Sequence, residues 1–268
     1  MCRHLAYLGP PVSLAQLVLA PSHGLYEQSW SPRRQQHGVV NADGFGLGWY
    51  PEEGGEPARY RRAVPIWTDP NLPELAAAIR SRAVLAAVRD ATAGTGHEET
   101  AVAPFRDGRH LFSHNGSIPD WPRLPADLES AADPASDPAP DSLSPADLLS
   151  LGARSDTALL WLLIYRELRR GVPAERAVAT VIARVAAVRP TARLNLLLTD
   201  GQNVVATRYG DSLWYRTGPG SILVASEPDD EAPEAWRELP PDTLLLAGAA
   251  GVVRTTSLRA ARVAAARK

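Results

Sequence analysis

Cysteine, lysine and methionine are almost missing from this 268-residue chain, which has one of each: Cys2, Lys268 and Met1. A single cysteine excludes intrachain disulfides, cysteine-rich zinc sites and iron–sulfur ligation by this chain alone. No stretch approaches the ~20 consecutive apolar residues of a membrane span, and the first residues lack the charged-then-apolar pattern of a secretion signal. A cytoplasmic protein is therefore expected. The 28 basic and 30 acidic residues give a formal net charge of −2, a balance that gives no electrostatic footprint for nucleic acid, which would need a clustered basic face. The six histidines are scattered without paired ligand spacing, which argues against a metal site. Gly44, Gly46 and Gly48 open no helix, so they make no phosphate or dinucleotide cradle. The expectation is a chain without cofactor or metal, acting on a small molecule, with neither nucleic acid nor membrane as partner. Every basic residue except Lys268 is arginine, which in an Ala- and Pro-rich chain reads as the codon bias of a GC-rich genome.

What is present is enough for a substantial core. Hydrophobic residues make up 45% of the chain, and a folded chain of this length buries roughly 75% of its extended surface. Cys2 to Leu8 and Gly44 to Tyr50 read as strands, the second with glycines on one side of a period-2 pattern. Glycine there marks close approach by another backbone or a ligand. A helix near Asn71 to Ile79 precedes an apolar strand, Ala83 to Val88. After a Gly/Thr-rich loop a further strand, Leu111 to Ser113, ends at His114-Asn115-Gly116. Between Pro119 and Asp147 fall seven prolines and six aspartates. Such a stretch has little apolar surface to bury, so about 119–153 is expected to be a mobile insertion, with a short helical turn possible at Leu148, Leu149 and Leu151.

Two helices follow. Ser155 or Asp156 caps the first, and Gly171 ends it; Pro173 starts the second. Then come strands at Arg193 to Thr199, Asn203 to Arg208, Ser212 to Arg216, Ser221 to Ala225, Thr243 to Ala247 and Val252 to Thr256, with an Asp200-Gly201 hairpin turn. Strands, two helices and more strands indicate an α+β fold with two antiparallel sheets and a helical layer rather than βαβ repeats. The Ala/Arg-rich tail, 259–268, reads as a frayed helix after a single domain spanning 2–258.

The lone cysteine is informative by position. Initiator methionine is normally removed when a small residue follows, which leaves Cys2 with a thiol and a free α-amine on one residue. Their reference pKa values, about 8.5 and about 7.7–8.0, leave the amine partly neutral near pH 7 and able to take the thiol proton. Nucleophile and general base then share a residue, with no histidine partner needed.

Four motifs occur in order: Cys2-Arg3-His4-Leu5, Val88-Arg89-Asp90-Ala91-Thr92, His114-Asn115-Gly116 and Ser155-Asp156-Thr157. Together they resemble the class II glutamine amidotransferase domain of the N-terminal nucleophile hydrolases. The resemblance implies a four-layer αββα sandwich, two antiparallel sheets between helical layers. It also implies roles: Cys2 as nucleophile, the Asn115 side chain and Gly116 N–H as oxyanion hole, and Arg89 on the α-carboxylate of a γ-glutamyl group. Thr92 would add a hydrogen bond there, and Asp156 would pair with the α-ammonium. The chain departs from better-known members in Asp90-Ala91-Thr92-Ala93-Gly94, in Ala103-Pro104 and in the segment from His37 to Gly46.

The family domain uses essentially the whole chain and leaves no acceptor domain to consume ammonia. A stand-alone hydrolase of a γ-glutamyl amide, working through a Cys2 thioester, is the expected function; a glutaminase subunit supplying ammonia to a separate synthase is the alternative. Pro32-Arg33-Arg34-Gln35-Gln36-His37-Gly38, Leu194-Asn195 and Ala225-Ser226-Glu227-Pro228 extend the resemblance nearly end to end. For a cationic leaving group, Trp30, Trp49, Tyr50 and Trp67 are the aromatic candidates, although core packing is the commoner role of such residues.

Overall fold

The computed structural model describes residues 2–92, 94–131, 143–248 and 253–258. In chain order the strands are β1 (Arg3–Ser13), β2 (Phe45–Trp49), β3 (Ala58–Arg62), β4 (Arg80–Val88), β5 (Phe105–Asp107), β6 (His110–Ser117), β7 (Arg193–Thr199), β8 (Asn203–Arg208), β9 (Trp214–Gly218), β10 (Ser221–Ala225), β11 (Arg237–Glu238), β12 (Thr243–Gly248) and β13 (Val253–Ser257). The helices are α1 (Leu14–Val18), α2 (Leu25–Gln28), α3 (Leu72–Ala78), α4 (Leu124–Ser130), α5 (Pro145–Leu149), α6 (Asp156–Arg169) and α7 (Ala174–Val188).

Two sheets form, in the orders β11-β9-β10-β1-β4-β2-β3 and β13-β12-β8-β7-β6-β5, and every pairing is antiparallel. Alternation along each strand sorts side chains into layers. From the first sheet, Ala6, Leu8, Ala83 and Leu85 meet Leu111, Leu197, Val204 and Ala206 of the second in a core between the sheets. Leu5, Tyr7, Phe45, Leu47 and Val84 turn outward onto Leu14, Leu17, Leu72 and Ala76 of α1 and α3. On the far side Phe112, Leu194, Leu196 and Leu198 pack under Leu160, Ile164, Val178 and Ile182 of α6 and α7. Phe112 stacks on Trp161 with centroids 5.3 Å apart. The result is the expected αββα sandwich.

The layers approach closely at the glycines of β2. A Cβ at Gly46 would collide with the carbonyl of Ala103, and one at Gly48 would lie 2.8 Å from Leu111. The strand glycines therefore admit the neighbouring backbone and side chains of the opposing layer.

Several boundaries shift from those read in the sequence. β4 begins at Arg80, β1 continues to Ser13, and Asn115-Gly116 lies inside β6. β3 and β5, short edge strands carrying Arg59, Arg61 and Arg106, have no apolar alternation to announce them. Part of the Pro/Asp-rich stretch is built into the core: Trp121, Leu124 and Leu128 are buried beneath α7 and its neighbours, and their spacing, not the average composition, decides this. α5 supplies the helical turn near Leu148 and Leu149, with Ser144 in a capping box with Asp147. The rest of the insertion, 132–142, and the 259–268 tail lie outside the described residues, as does Met1.

Candidate active site

β1 is central in its sheet, flanked by β10 and β4, and Arg3 pairs with Val88. Cys2, one residue before β1, thus sits beside Arg89 and Asp90 at the end of β4. Parity makes Cys2 and His4 face the inner layer, as Ala6 does; on β6 the same parity turns Ser113 and Asn115 inward. The two sheets therefore present polar residues to each other at this end of the sandwich. His4 Nδ1 lies 3.1 Å from Ser113 Oγ, and the Cys2 N–H donates to Asn115 Oδ1 at 3.2 Å. The half-buried Cys2 Sγ lies 4.0 Å from the Asp90 carbonyl oxygen.

The Asn115 amide takes the Cys2 nitrogen on its oxygen, while its NH2 reaches Ser226 Oγ only at 3.5 Å. That long contact occupies at most one of the two N–H groups, so a donor remains for an oxyanion. Gly116 follows where a Cβ would run into the Arg193 carbonyl and lie 2.7 Å from His114 Nε2. Only glycine lets β6 and β7 approach here.

Arg89 is buried, and its backbone is pinned by Gly44 O (2.8 Å) and the Asp43 N–H (2.9 Å). Its Nη2 donates to Thr95 Oγ1 (3.0 Å) and to the Gly96 carbonyl (2.8 Å), while Nη1 has no hydrogen-bond partner. One prong of the fork holds a loop and the other makes no hydrogen bond. Thr92 enters through its carbonyl, which accepts from the Thr95 amide and hydroxyl. The Thr95 hydroxyl is the one bonded to Arg89, and the Gly/Thr-rich loop was its only sequence signal.

Asp156 is buried at the first turn of α6. Ser155 is the N-cap, accepting from the Ala158 N–H at 3.1 Å, which relieves Asp156 of that role. The Asp156 carboxylate accepts from the Ile118 N–H (3.1 Å) and the Thr157 N–H (2.8 Å). Its negative charge and the positive charge of Arg89 both act on Cys2. Burial pushes the Cys2 thiol up; the Asp90 backbone contact and Arg89 oppose that shift, and Asp156 adds to it. The nearby His4 imidazole is held well below its usual range by burial, Arg3 and His114, so it stays neutral.

Behind Cys2 is a buried charged network that composition gave no reason to expect. Arg3, fully buried, donates Nε to the Cys2 carbonyl at 2.9 Å and places Nη1 3.8 Å from Glu227. Glu227 Oε2 accepts from the Arg33 and Arg34 amides at 2.8 and 2.9 Å and lies 3.4 Å from His23 Nε2. Glu227 thereby ties the 33–34 loop to the strand carrying Cys2. The Ala225-Ser226-Glu227-Pro228 and Pro32-Arg33-Arg34 motifs meet here. Asn195, from the remaining motif, is buried and donates to the Asp211 and Ser212 carbonyls, a structural duty.

The aromatic candidates separate. Trp49 packs against the outer core of the first sheet, and the Tyr50 hydroxyl lies 2.7 and 2.8 Å from the carbonyls of Arg109 and Thr199. Trp30 and Trp67 are both exposed and meet edge to face at 5.6 Å. Among the described residues no group of three or more metal-type ligands forms, and no helix is long and apolar enough to cross a membrane.

Comparison with known proteins adds to this geometry. A family model described as glutamine amidotransferases class-II matches residues 22–219. The chain is 42% identical over 240 residues to the gamma-glutamyl-hercynylcysteine sulfoxide hydrolase of Mycolicibacterium smegmatis, covering 90% of this chain and 92% of that one. To the protein of the same name from Mycobacterium tuberculosis it is 38% identical over 260 residues, covering 97% and 98%. Among solved structures, a glutamine aminotransferase class-II domain protein from Silicibacter pomeroyi superposes with a TM-score of 0.60 at 26% identity, covering 96% of this chain and 99% of that one. The glutamine phosphoribosylpyrophosphate amidotransferase of B. subtilis shares the fold, with a TM-score of 0.65 at 16% identity over 96% of this chain and 49% of that one.

Proposed function

Because the chain belongs to the class-II glutamine amidotransferases, we propose that it is an N-terminal-cysteine amidohydrolase acting on gamma-glutamyl hercynylcysteine sulfoxide. It cleaves the γ-glutamyl amide, releasing glutamate and hercynylcysteine sulfoxide, a step of ergothioneine biosynthesis. The relatives that carry this activity in their names match nearly their whole length. The observation that carries the chemistry is a buried guanidinium with an unpartnered Nη1 and a buried carboxylate, both acting on one cysteine. These are the two charges needed to hold the amino-acid end of a γ-glutamyl group while its amide carbon faces the thiol.

Removal of Met1 turns the Cys2 nitrogen, already held by Asn115 Oδ1, into an α-amine. This amine takes the thiol proton, and the thiolate adds to the γ-carbonyl carbon. Asn115 and Gly116 stabilise the resulting oxyanion. As the C–N bond breaks, the ammonium returns the proton to the departing nitrogen, leaving a γ-glutamyl thioester. Water then gives a proton to the amine and adds to the thioester carbonyl; collapse frees glutamate and restores the thiol. Arg89, with Thr95 behind it, binds the α-carboxylate, and Asp156 the α-ammonium. Thr92 contributes through the turn it makes with Thr95. The leaving group carries a trimethylammonium, for which exposed Trp30 and Trp67 offer aromatic faces. A reducing cytoplasm keeps the nucleophile a thiol.

Steady-state turnover of the γ-glutamyl conjugate and of free glutamine by the purified chain tests this reading. Strong preference for the conjugate is expected. Glutamine turnover that matches it, or that rises only with an added synthase, assigns the chain to ammonia supply instead.

A further inference from the structure

β3 and β5 are edge strands of the two sheets, and α6 packs against β5. Arg59 and Arg61, two apart on β3, share a face of that strand. Together with Arg106 of β5 and Arg166 and Arg169 of α6 they line a cavity of about 530 Å³, whose wall includes Phe105, Leu162 and Tyr165. That volume lies within the range of small-molecule sites, roughly 300–1,000 Å³. Cys2, Arg89, Asn115 and Asp156 are not among its lining residues.

Five guanidinium groups face two lining carboxylates, and both carboxylates are engaged. Asp147 accepts from the Ser144 N–H (2.9 Å) and hydroxyl (2.8 Å) and lies 3.7 Å from Arg166. Asp107 acts on the Tyr165 hydroxyl, whose proton it helps to hold. On the strand side, Arg59 donates to the Pro104 carbonyl at 3.1 Å, and Arg61 to those of Thr100 and Val102 at 3.4 and 3.2 Å. Neutral carbonyls leave the positive charge in place. Among the described residues Arg106 has exposed Glu56 at 3.8 Å as its ion-pair partner, and its hydrogen bond goes to the Pro57 carbonyl. Burial together with Arg61 and Arg106 pushes the Arg59 guanidinium down to about 10, so the cations repel one another. A cleft walled by one sign of charge focuses its field and concentrates the opposite ion. Planar guanidinium forks suit the oxygens of a phosphate, and the apolar wall suits a ring.

We propose that the arginine-lined cavity between β3, β5 and α6 binds a small phosphate-bearing molecule, its charge on Arg59, Arg61 and Arg106 and its ring against Leu162 and Tyr165. This site is distinct from the one that holds the γ-glutamyl substrate. Isothermal titration of the full chain with inorganic pyrophosphate and with adenosine 5′-diphosphate, at constant ionic strength, tests it. Saturable one-to-one binding is expected for both, tighter for the nucleotide. Arg59→Met combined with Arg106→Met should weaken both at least tenfold while γ-glutamyl turnover stays unchanged. Tyr165→Leu should abolish the advantage of the nucleotide. Arg106→Gln alone, at an exposed strand edge, should still weaken pyrophosphate at least threefold if the double variant does not fold. No saturable binding, binding undiminished in these arginine variants, or displacement of pyrophosphate by glutamate overturns the site. Equal affinity for the two probes in the unmodified chain overturns the ring contact.

Discussion

Arg89→Lys keeps the positive charge and removes the fork. In the structure Nη2 donates to Thr95 Oγ1 and the Gly96 carbonyl, and Nη1, which makes no hydrogen bond, is the end proposed for the substrate carboxylate. A lysine ammonium is a single point and cannot serve the loop and a carboxylate at separate places. Either the loop contacts or the substrate contact must go. A hydrogen bond to a charged group contributes about 1.5–3 kcal/mol, and about 1.4 kcal/mol is a factor of ten. The expected loss is thus about ten- to 150-fold in kcat/KM, expressed mainly in KM because the γ-carbonyl and the thiol are untouched. Steady-state kinetics on the γ-glutamyl conjugate measures it. Thr95→Val, which removes one of the two loop anchors but no charge, should show a smaller rise in KM. An unchanged KM in Arg89→Lys would falsify the carboxylate clamp.

Other outcomes follow from the same geometry. Asn115→Ala removes an oxyanion donor and should lower kcat by about 10²–10³ with little change in KM; a fall in kcat below about tenfold contradicts that role. His4 is buried and held neutral, its imidazole well below the ordinary range. Acidification protonates the unfolded chain first, so stability falls as pH drops below about 6.5, by about 1.4 kcal/mol per pH unit for one such group. Chemical denaturation at pH 7 and 5.5 should show this slope, and His4→Gln should flatten it; the same slope in both proteins removes His4 as the cause. Gly46→Ala would push a Cβ onto the Ala103 carbonyl and should destabilise by about 1–3 kcal/mol as an overpacked core does. Gly152→Ala, in open space, is the control; equal stability of the two variants contradicts the close approach of the layers.

Much of the sandwich was legible because its central strands are short apolar runs bounded by turn residues. Leu5, Ala6, Tyr7 and Leu8 are all apolar and buried, so which face meets helices and which meets the other sheet came only from the structure. β7, β8 and β10 were readable to their end residues for the same reason, with Asp200-Gly201 marking one turn. Edge strands β3 and β5 were not, since their side chains are arginines that answer to the cavity beside them rather than to a core. Arg3 shows a different limit: composition places arginine outside, and distant partners, Glu227 among them, compensate its full burial. Within the candidate site, Cys2 was legible from position and Arg89, Asn115 and Asp156 from ordered motifs. Thr95 and the Glu227 tie to the 33–34 loop depend on tertiary contact and leave no periodic trace.

The claim at the centre is that Cys2, freed of Met1, forms the γ-glutamyl thioester with its own α-amine as base. Intact-mass analysis of the active protein, before and during turnover of the γ-glutamyl conjugate with rapid acid quench, tests it most directly. The account predicts a chain that begins at Cys2 and a transient γ-glutamyl adduct, labile to hydroxylamine and missing in Cys2→Ala, which should be folded and inactive. Full turnover by protein that retains Met1, or by Cys2→Ala, would contradict it.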